Sequence, residues 1–400
     1  MANILSIGDL PMQDNTIIHN QYHTYSPYTS SFDNNDEIRI AIQSQNVYVL
    51  PSESYLFLEV EVSRKTGDEH ADVAGRWTAN YAAYLFSEIR YELNGTEIDR
   101  TKNVGLASNM KRFSATPSPR NCSLIAVHNG AVLNVATYSL VLPINQLLGF
   151  CDDYKKMILN AKHELVLVRN RRDIYSYMAA SESFNIKVKK IQWKVPHITL
   201  SDEAKLAMLR YLEKKQTISI PYRSWDLYEM PQLPQSRRHI WTVKSTTQIS
   251  KPRYVLVVFQ TNKQIVSANS AAYDNCDISD VKLYLNSEYY PYDNYNLDFT
   301  SGNYQELYHS FLQIQSSYYQ GHGTSDSNSC ALTFDQFGTS PIFAFDCSRS
   351  EESLIGGTVD VRLEINAREN IPANTAAYCL IVHDNQVEYS PFSGIVVRNT

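Results

Sequence analysis

Four groups of residues in this 400-residue chain have types and spacings that could do chemistry. His19 and His23 stand four apart, a spacing that on a helix would bring two imidazoles onto one metal ion, but the segment is polar and Pro27 follows closely. Cys379, His383 and Asp384 offer a thiol, a base and an acid. They fall on what reads as a strand and its turn, where four residues span about 13 Å, too far for Cys379 to pass its proton to His383. Arg169, Arg171 and Arg172, with Lys187 and Lys189 nearby and Tyr175 and Tyr177 interleaved, could track phosphates. The competing reading is a solvated strand face. Ile186 and Val188 point one way and Lys187 and Lys189 the other, and Ile191, Trp193 and Val195 take the opposite phase, which calls for a bulge near Lys189 and Lys190. Finally, Tyr289, Tyr290, Tyr292 and Tyr295 surround Pro291. Such rings anchor subunit contacts well, or close a loop onto its own core.

The common signatures are missing. No GxGxxG follows a strand, and there is no GxxxxGK[ST], HExxH, GxSxG or CxxC. The six cysteines, Cys122, Cys151, Cys276, Cys330, Cys347 and Cys379, read as small core residues with free thiols. No catalytic residue, metal or cofactor is therefore expected.

The elements that would position these residues are mostly strands. EIRIAI (37–42), YLFLEVEV (55–62) and SEIRYELNG (87–95) alternate with a period of two, and Asn94-Gly95 supplies a hairpin turn. One window, Ser201 to Gln216, has an N-cap, an acidic first turn, a basic last turn and an apolar stripe at Leu200, Ala204, Met208, Leu209 and Leu212, as a helix packed on a core would. The stretch Tyr222 to Ser236 contains Pro231 and Pro234 without clean alternation and reads as an interdomain connection. Residues 1–35 are polar and aperiodic and read as an extended arm outside either core.

The two halves repeat each other in order. SEIRYELNG at 87 matches SDVKLYLNS at 279, EIRIAI matches HIWTVK at 239, and YLFLEV matches YVLVVF at 254. Leu106, Met110 and Phe113 recur as Leu307, Phe311 and Ile314; SLVLP (139), HELVLVR (163) and FNIKVKK (184) parallel IFAFD (342), DVRLEI (360) and AAYCLIV (376). Offsets stay within about 192 to 203 positions, as tandem duplication of one β domain produces. The expected fold is all-β: two tandem jelly-roll sandwiches with a few short helices, the arm at 1–35, the first roll at 36–216 ending in the connecting helix 201–216, and the second roll at 217–400.

Composition agrees with such a chain. Hydrophobic residues make up 43%, charged residues 20%, and the net charge is -6, which argues against a dedicated nucleic-acid binder. The N-terminal MANILSIGDLPMQDN lacks the charged start and apolar run of a secretory signal, and no apolar run is long enough for a membrane helix. The 28 Tyr are the compositional anomaly and favour strands and broad contact surfaces.

Three stretches resemble a known family: LPINQLLGFCDDYKKMILNAKHELVLVRN (142–170), ISIPYRSWDLYEMPQLPQSRRHIWTVKSTTQISKPRYVLVVFQTN (218–262), and the run from CDISDVKLYLNSEYYPYDNYNLDF (276–299) to FDCSRSEESLIGGTVDVRLEINARENIPANTAAYCLIVHDNQVEY (345–389). They look like small arthropod-associated members of the double jelly-roll major capsid proteins, the lineage of adenovirus hexon, tectivirus coats and the capsid proteins of Polinton- and adintovirus-like elements. The resemblance implies a structural, non-enzymatic subunit of an icosahedral virion. It would form homotrimers whose six rolls make a pseudo-hexagonal capsomer. Its partners would be neighbouring capsomers, a penton or minor capsid protein, and the packaged genome through weak basic patches on the inner face. Little chain is left for tower loops. The alternative from the residues themselves is a tandem β-sandwich module that binds carbohydrate through exposed aromatics.

Overall fold

The computed structural model describes residues 16–43, 47–64, 75–115, 136–179, 184–214, 217–244, 252–263, 265–318, 332–348 and 359–399. The first half contributes β1 (Ile17–Tyr25), β2 (Glu37–Ile42), β3 (Tyr55–Arg64), β4 (Phe86–Leu93), β5 (Thr96–Lys102), helix α1 (Val104–Ala115), β6 (Ala136–Pro143), the short helix α2 (Gly149–Asp153), β7 (His163–Arg169) and β8 (Phe184–Leu200). After α3 (Asp202–Glu213) the second half contributes β9 (Ile218–Met230), β10 (Arg238–Lys244), β11 (Pro252–Thr261), β12 (Ile278–Leu285), β13 (Glu288–Tyr290), α4 (Gln305–Tyr318), α5 (Phe334–Thr339), β14 (Phe343–Asp346), β15 (Val361–Ala367) and β16 (Thr375–Tyr389). A last strand, β17 (Val396–Asn399), returns to pair with β16.

In the first half the sheets run β6-β3-β8-β1 and β2-β7-β4-β5; in the second they run β14-β11-β16-β9 and β10-β15-β12-β13. Each strand of the second half holds the place of the strand eight before it. Every strand segment paired by sequence above, the 87–95 and 279–287 anchors included, therefore occupies the equivalent position in its sheet, and the paired Leu106 and Leu307 segments are the helices α1 and α4. Two antiparallel four-stranded sheets packed face to face in this order form a jelly roll, so the chain is a double jelly roll.

Local chemistry accounts for the recurring pieces. β4 alternates buried Ile89, Tyr91 and Leu93 with half-buried polar residues, and Asn94 and Gly95 both take positive φ (51° and 81°) to turn the hairpin. Asn286 does the same at the equivalent turn, with φ 54°. The bulge in β8 is present as a register shift between Val188 and Lys190.

Two apolar clusters form, one per roll. The first is built on Ile38, Leu58, Tyr91, Leu165 and Trp193; the second on Val257, Phe259, Leu283, Phe311 and Leu363. Each cluster borrows from the other half. Ile220, Tyr222, Val387 and Tyr389 pack into the first, while Leu106, Ala107 and Met110 of α1 pack into the second.

Three expectations need correction. Ile17–Tyr25 is not an arm outside the sheets but β1, hydrogen-bonded along β8 from Ile17 opposite Leu200 to Tyr25 opposite Trp193. It escaped notice because its residues are exposed up to half-buried Tyr25, so no apolar alternation marks it. Tyr222 to Met230 is not a connection but most of the 13-residue β9. That strand feeds Tyr222 to the first core and Trp225 to the second, and burial from two sides erases the period of two. The helix forms with Ser201 accepting from the Ala204 amide, but it buries no residue, and Leu206 and Leu209 of α3 are 56% and 53% exposed.

Candidate self-association surfaces

The seam between the two rolls shows what each roll edge is built to meet. β9 lies against β5 and α2 of the first roll. The Tyr222 hydroxyl donates to the Ile98 carbonyl at 2.6 Å. Arg223 grips Asp153 through its backbone N–H and Nε, both at 2.8 Å, and its Nη1 donates to the Tyr318 carbonyl at 2.6 Å. Gly149 makes this approach possible, since a Cβ there would lie 1.7 Å from the Arg223 carbonyl oxygen. Asp99 is buried beside the seam and accepts from the Phe150 and Arg100 amides; burial pushes its carboxyl up to about 6 against the pull of those two bonds. Tyr389 closes the other flank by donating to the Leu159 carbonyl at 2.7 Å.

β1 is the first-roll equivalent of β9, yet among the described residues it has no such neighbour. Ile17, Ile18 and Tyr22 are 46%, 65% and 46% exposed, and Tyr28 just beyond is 78% exposed. Tyr22 lies tilted against Tyr55, with ring centroids 5.4 Å apart, and its hydroxyl donates to the Glu53 carbonyl at 3.4 Å. On its other face, His23 stacks on His197 at 4.0 Å, and the Tyr25 hydroxyl meets His197 Nε2 at 2.9 Å. His19 instead contacts Gln21 at 3.2 Å, so the two histidines of the sequence motif do not converge.

The second-roll equivalent of β5 is β13, which carries the tyrosine run. The four rings divide. Tyr289 and Tyr292 stack on each other at 6.0 Å and face solvent, with Lys282 Nζ 5.2 Å above the Tyr289 ring. Tyr290 and Tyr295 pack against the second core; Tyr290 donates to Glu288 at 3.0 Å and Tyr295 to Ser310 at 3.3 Å. The outward pair and bare β1 thus stand where the internal seam has β5 and β9.

The basic residues do not form one patch. Arg169 is buried and donates to the Leu85 carbonyl (2.6 Å), Asn34 (3.2 Å) and Asp173 (3.0 Å). Its assignment as a phosphate contact is therefore corrected: it ties the end of β7 to the following turn. Arg171 and Arg172 are exposed after β7, while Lys187 and Lys189 are exposed on β8 in the opposite sheet. Lys189 pairs with Glu61 at 2.5 Å and Lys190 with Glu59 at 3.5 Å, so acidic residues of β3 offset much of that face.

Cys379 is fully buried, and burial pushes its thiol far above the ordinary range. Asp384 pairs with Arg253 at 2.7 Å instead of His383. His383 meets Ser224 across the β9–β16 ladder at 2.9 Å, with Asp226 4.0 Å from the same Nε2. A relay would need the carboxylate on the opposite ring nitrogen, so this arrangement does not line up a nucleophile. Cys151, Cys276 and Cys347 are buried and in no disulfide, whereas Cys122 and Cys330 lie outside the described residues. Among the described residues no group of three or more metal-ligating side chains converges, and no helix is long and apolar enough to cross a membrane.

Sequence reading missed the bare face of β1 and the seam residues Gly149, Asp153 and Arg223. Collinearity held the missing signal. With β9 ahead of β10, the repeat demands a strand ahead of β2.

Two rolls of identical strand order, joined through the seam of β9 against β5 and α2, define a double jelly roll. The double jelly-roll-like domain family matches residues 76–387, and the chain belongs to that family. The fold is shared with viral coat proteins. A cryo-EM structure of the Sputnik virophage aligns with TM-score 0.62 at 11% identity, covering 100% of this chain and 92% of that one. The PBCV-1 capsid aligns with TM-score 0.56 at 10% identity over 98% and 99%, and the mavirus major capsid protein with 0.52 at 12% over 99% and 92%. No curated protein matches the chain at the sequence level.

Proposed function

We propose that this chain is the major coat subunit of an icosahedral virion, acting by self-assembly and without catalysis. The observation that carries this reading is the contrast between β9, buried where it meets β5 and α2, and its equivalent β1, which is bare. Repeating the internal seam between copies would place β1 of one copy on the β13 edge of the next, with Ile17, Ile18 and Tyr22 against Tyr289 and Tyr292. Such head-to-tail contacts close into rings when the rotation permits. Three copies would present six rolls. The domain division near residue 216, a penton or minor capsid partner, and genome contact through Arg171, Arg172, Lys187 and Lys189 belong to the same proposal. Tyr290 and Tyr295 would support the outward pair from beneath.

The test uses two surface variants, Ile18→Asp with Tyr22→Ser on β1, and Tyr289→Ser with Tyr292→Ser on β13. Each alone should be monomeric by sedimentation with its β signal intact. Mixed, they retain one sound joint and should form a dimer of one of each. A wild-type chain that stays monomeric at all concentrations would overturn the coat reading. A wild-type oligomer that both variants leave unchanged would overturn the choice of surfaces.

A further inference from the structure

A cavity of about 240 Å³ opens between the two rolls, away from the self-association edges. Its wall comes from both halves. Tyr84 and Tyr175 belong to the first roll; Glu229, Gln260, Ser270 and Tyr378 belong to the second. The Tyr84 hydroxyl donates to the Ser270 carbonyl at 2.9 Å, and the ring is seated on Gly105, where a Cβ would come within 2.3 Å of it. Gln260 Nε2 donates to the carbonyls of Ser270 and Ala272 at 2.9 and 3.0 Å, which fixes the amide and leaves its oxygen as an acceptor. Ser270 is 3% exposed, and its hydroxyl has no hydrogen-bond partner.

The chemistry of the wall selects that occupant. Three tyrosine rings, one carboxylate and several amide groups line the cavity, and among the described residues no Lys, Arg or His does. The Tyr378 hydroxyl leans on Glu229 Oε1 at 3.4 Å at the mouth. Partial burial pushes the Glu229 carboxyl above its ordinary range despite that bond. Aromatic faces and a carboxylate attract ammonium groups, and an acceptor such as Gln260 Oε1 takes their N–H bonds. The volume is below the roughly 300 Å³ of sites for drug-sized ligands.

We propose that this inter-roll cavity binds a small organic ammonium ion, with Glu229 as counter-ion, the tyrosine faces as the cage, and Gln260 as acceptor. Occupied, it would tie the two rolls together through residues of both.

Titration calorimetry of the full chain with 1,4-diaminobutane tests this, with sodium chloride and glucose as comparison probes. Saturable binding of the diamine, absent for sodium and glucose, is expected, together with a rise in melting temperature. Glu229→Gln, at an exposed mouth position, should weaken diamine binding tenfold or more while keeping the wild-type melting temperature in its absence. No saturable binding, equal binding by Glu229→Gln, or saturable binding of glucose in place of the diamine would each overturn the proposal. An ordered water cluster in the cavity of crystals grown with the diamine would do the same.

Discussion

His163 should make the first roll sensitive to acid. It lies on β7, 1% exposed, with Nδ1 2.6 Å from the Tyr91 hydroxyl and Nε2 without a partner. Burial, then the charge of His197, pulls its pKa down from 6.5 to about 3. The folded state thus refuses a proton that the unfolded chain accepts. Above pH 6.5 neither form is protonated and nothing is lost. Between pH 6.5 and 3 stability falls by about 1.36 kcal/mol per unit, or about 2.7 kcal/mol by pH 4.5. Replacing only His163 would orphan the Tyr91 hydroxyl at about 1–3 kcal/mol, so the clean perturbation is Tyr91→Phe with His163→Leu, which removes both polar groups. Urea midpoints followed by circular dichroism at pH 7 and 4.5 give the loss for each protein. The double variant should lose about 2.7 kcal/mol less than wild type over that interval. An equal loss in both would refute the reasoning.

Three further outcomes follow from the seam and the strand edges. Gly149→Ala forces a Cβ onto the Arg223 carbonyl and should open the α2–β9 contact, read as faster hydrogen exchange of the Ile220 to Trp225 amides; unchanged protection would contradict it. Arg169→Met removes a buried charge partner of Asp173 and the ties to Leu85 and Asn34, and should cost about 3–5 kcal/mol in urea without altering affinity for nucleic acid. Full stability with reduced affinity would restore the phosphate reading. Deleting residues 1–25 removes a strand whose side chains are almost all exposed, so the chain should keep its β signal but sediment as a monomer; an undiminished oligomer would remove β1 from the contact.

The fold was legible because duplication repeats one pattern twice. SEIRYELNG and SDVKLYLNS share a buried face and a turn, and the tie between sequence and sheet position holds for every paired strand segment. Legibility failed where burial and periodicity part. IIHNQYHTY in β1 is a strand by hydrogen bonding alone, and β9 is buried from two sides, so neither alternates. Arg169 shows the same limit at the site: a basic run cannot reveal that one member is enclosed by Asn34 and Asp173. The tyrosine cluster was visible by type, but which rings face outward depends on the pairing of β13 with β12, a local geometry that composition does not encode.

The most direct measurement is the mass and outline of the purified wild-type particle. Sedimentation should give three times the 45.7 kDa chain mass, and negative-stain microscopy should show compact six-lobed rings or closed shells built from them. A single species of 45.7 kDa at every concentration, with no rings in stain, would contradict the account.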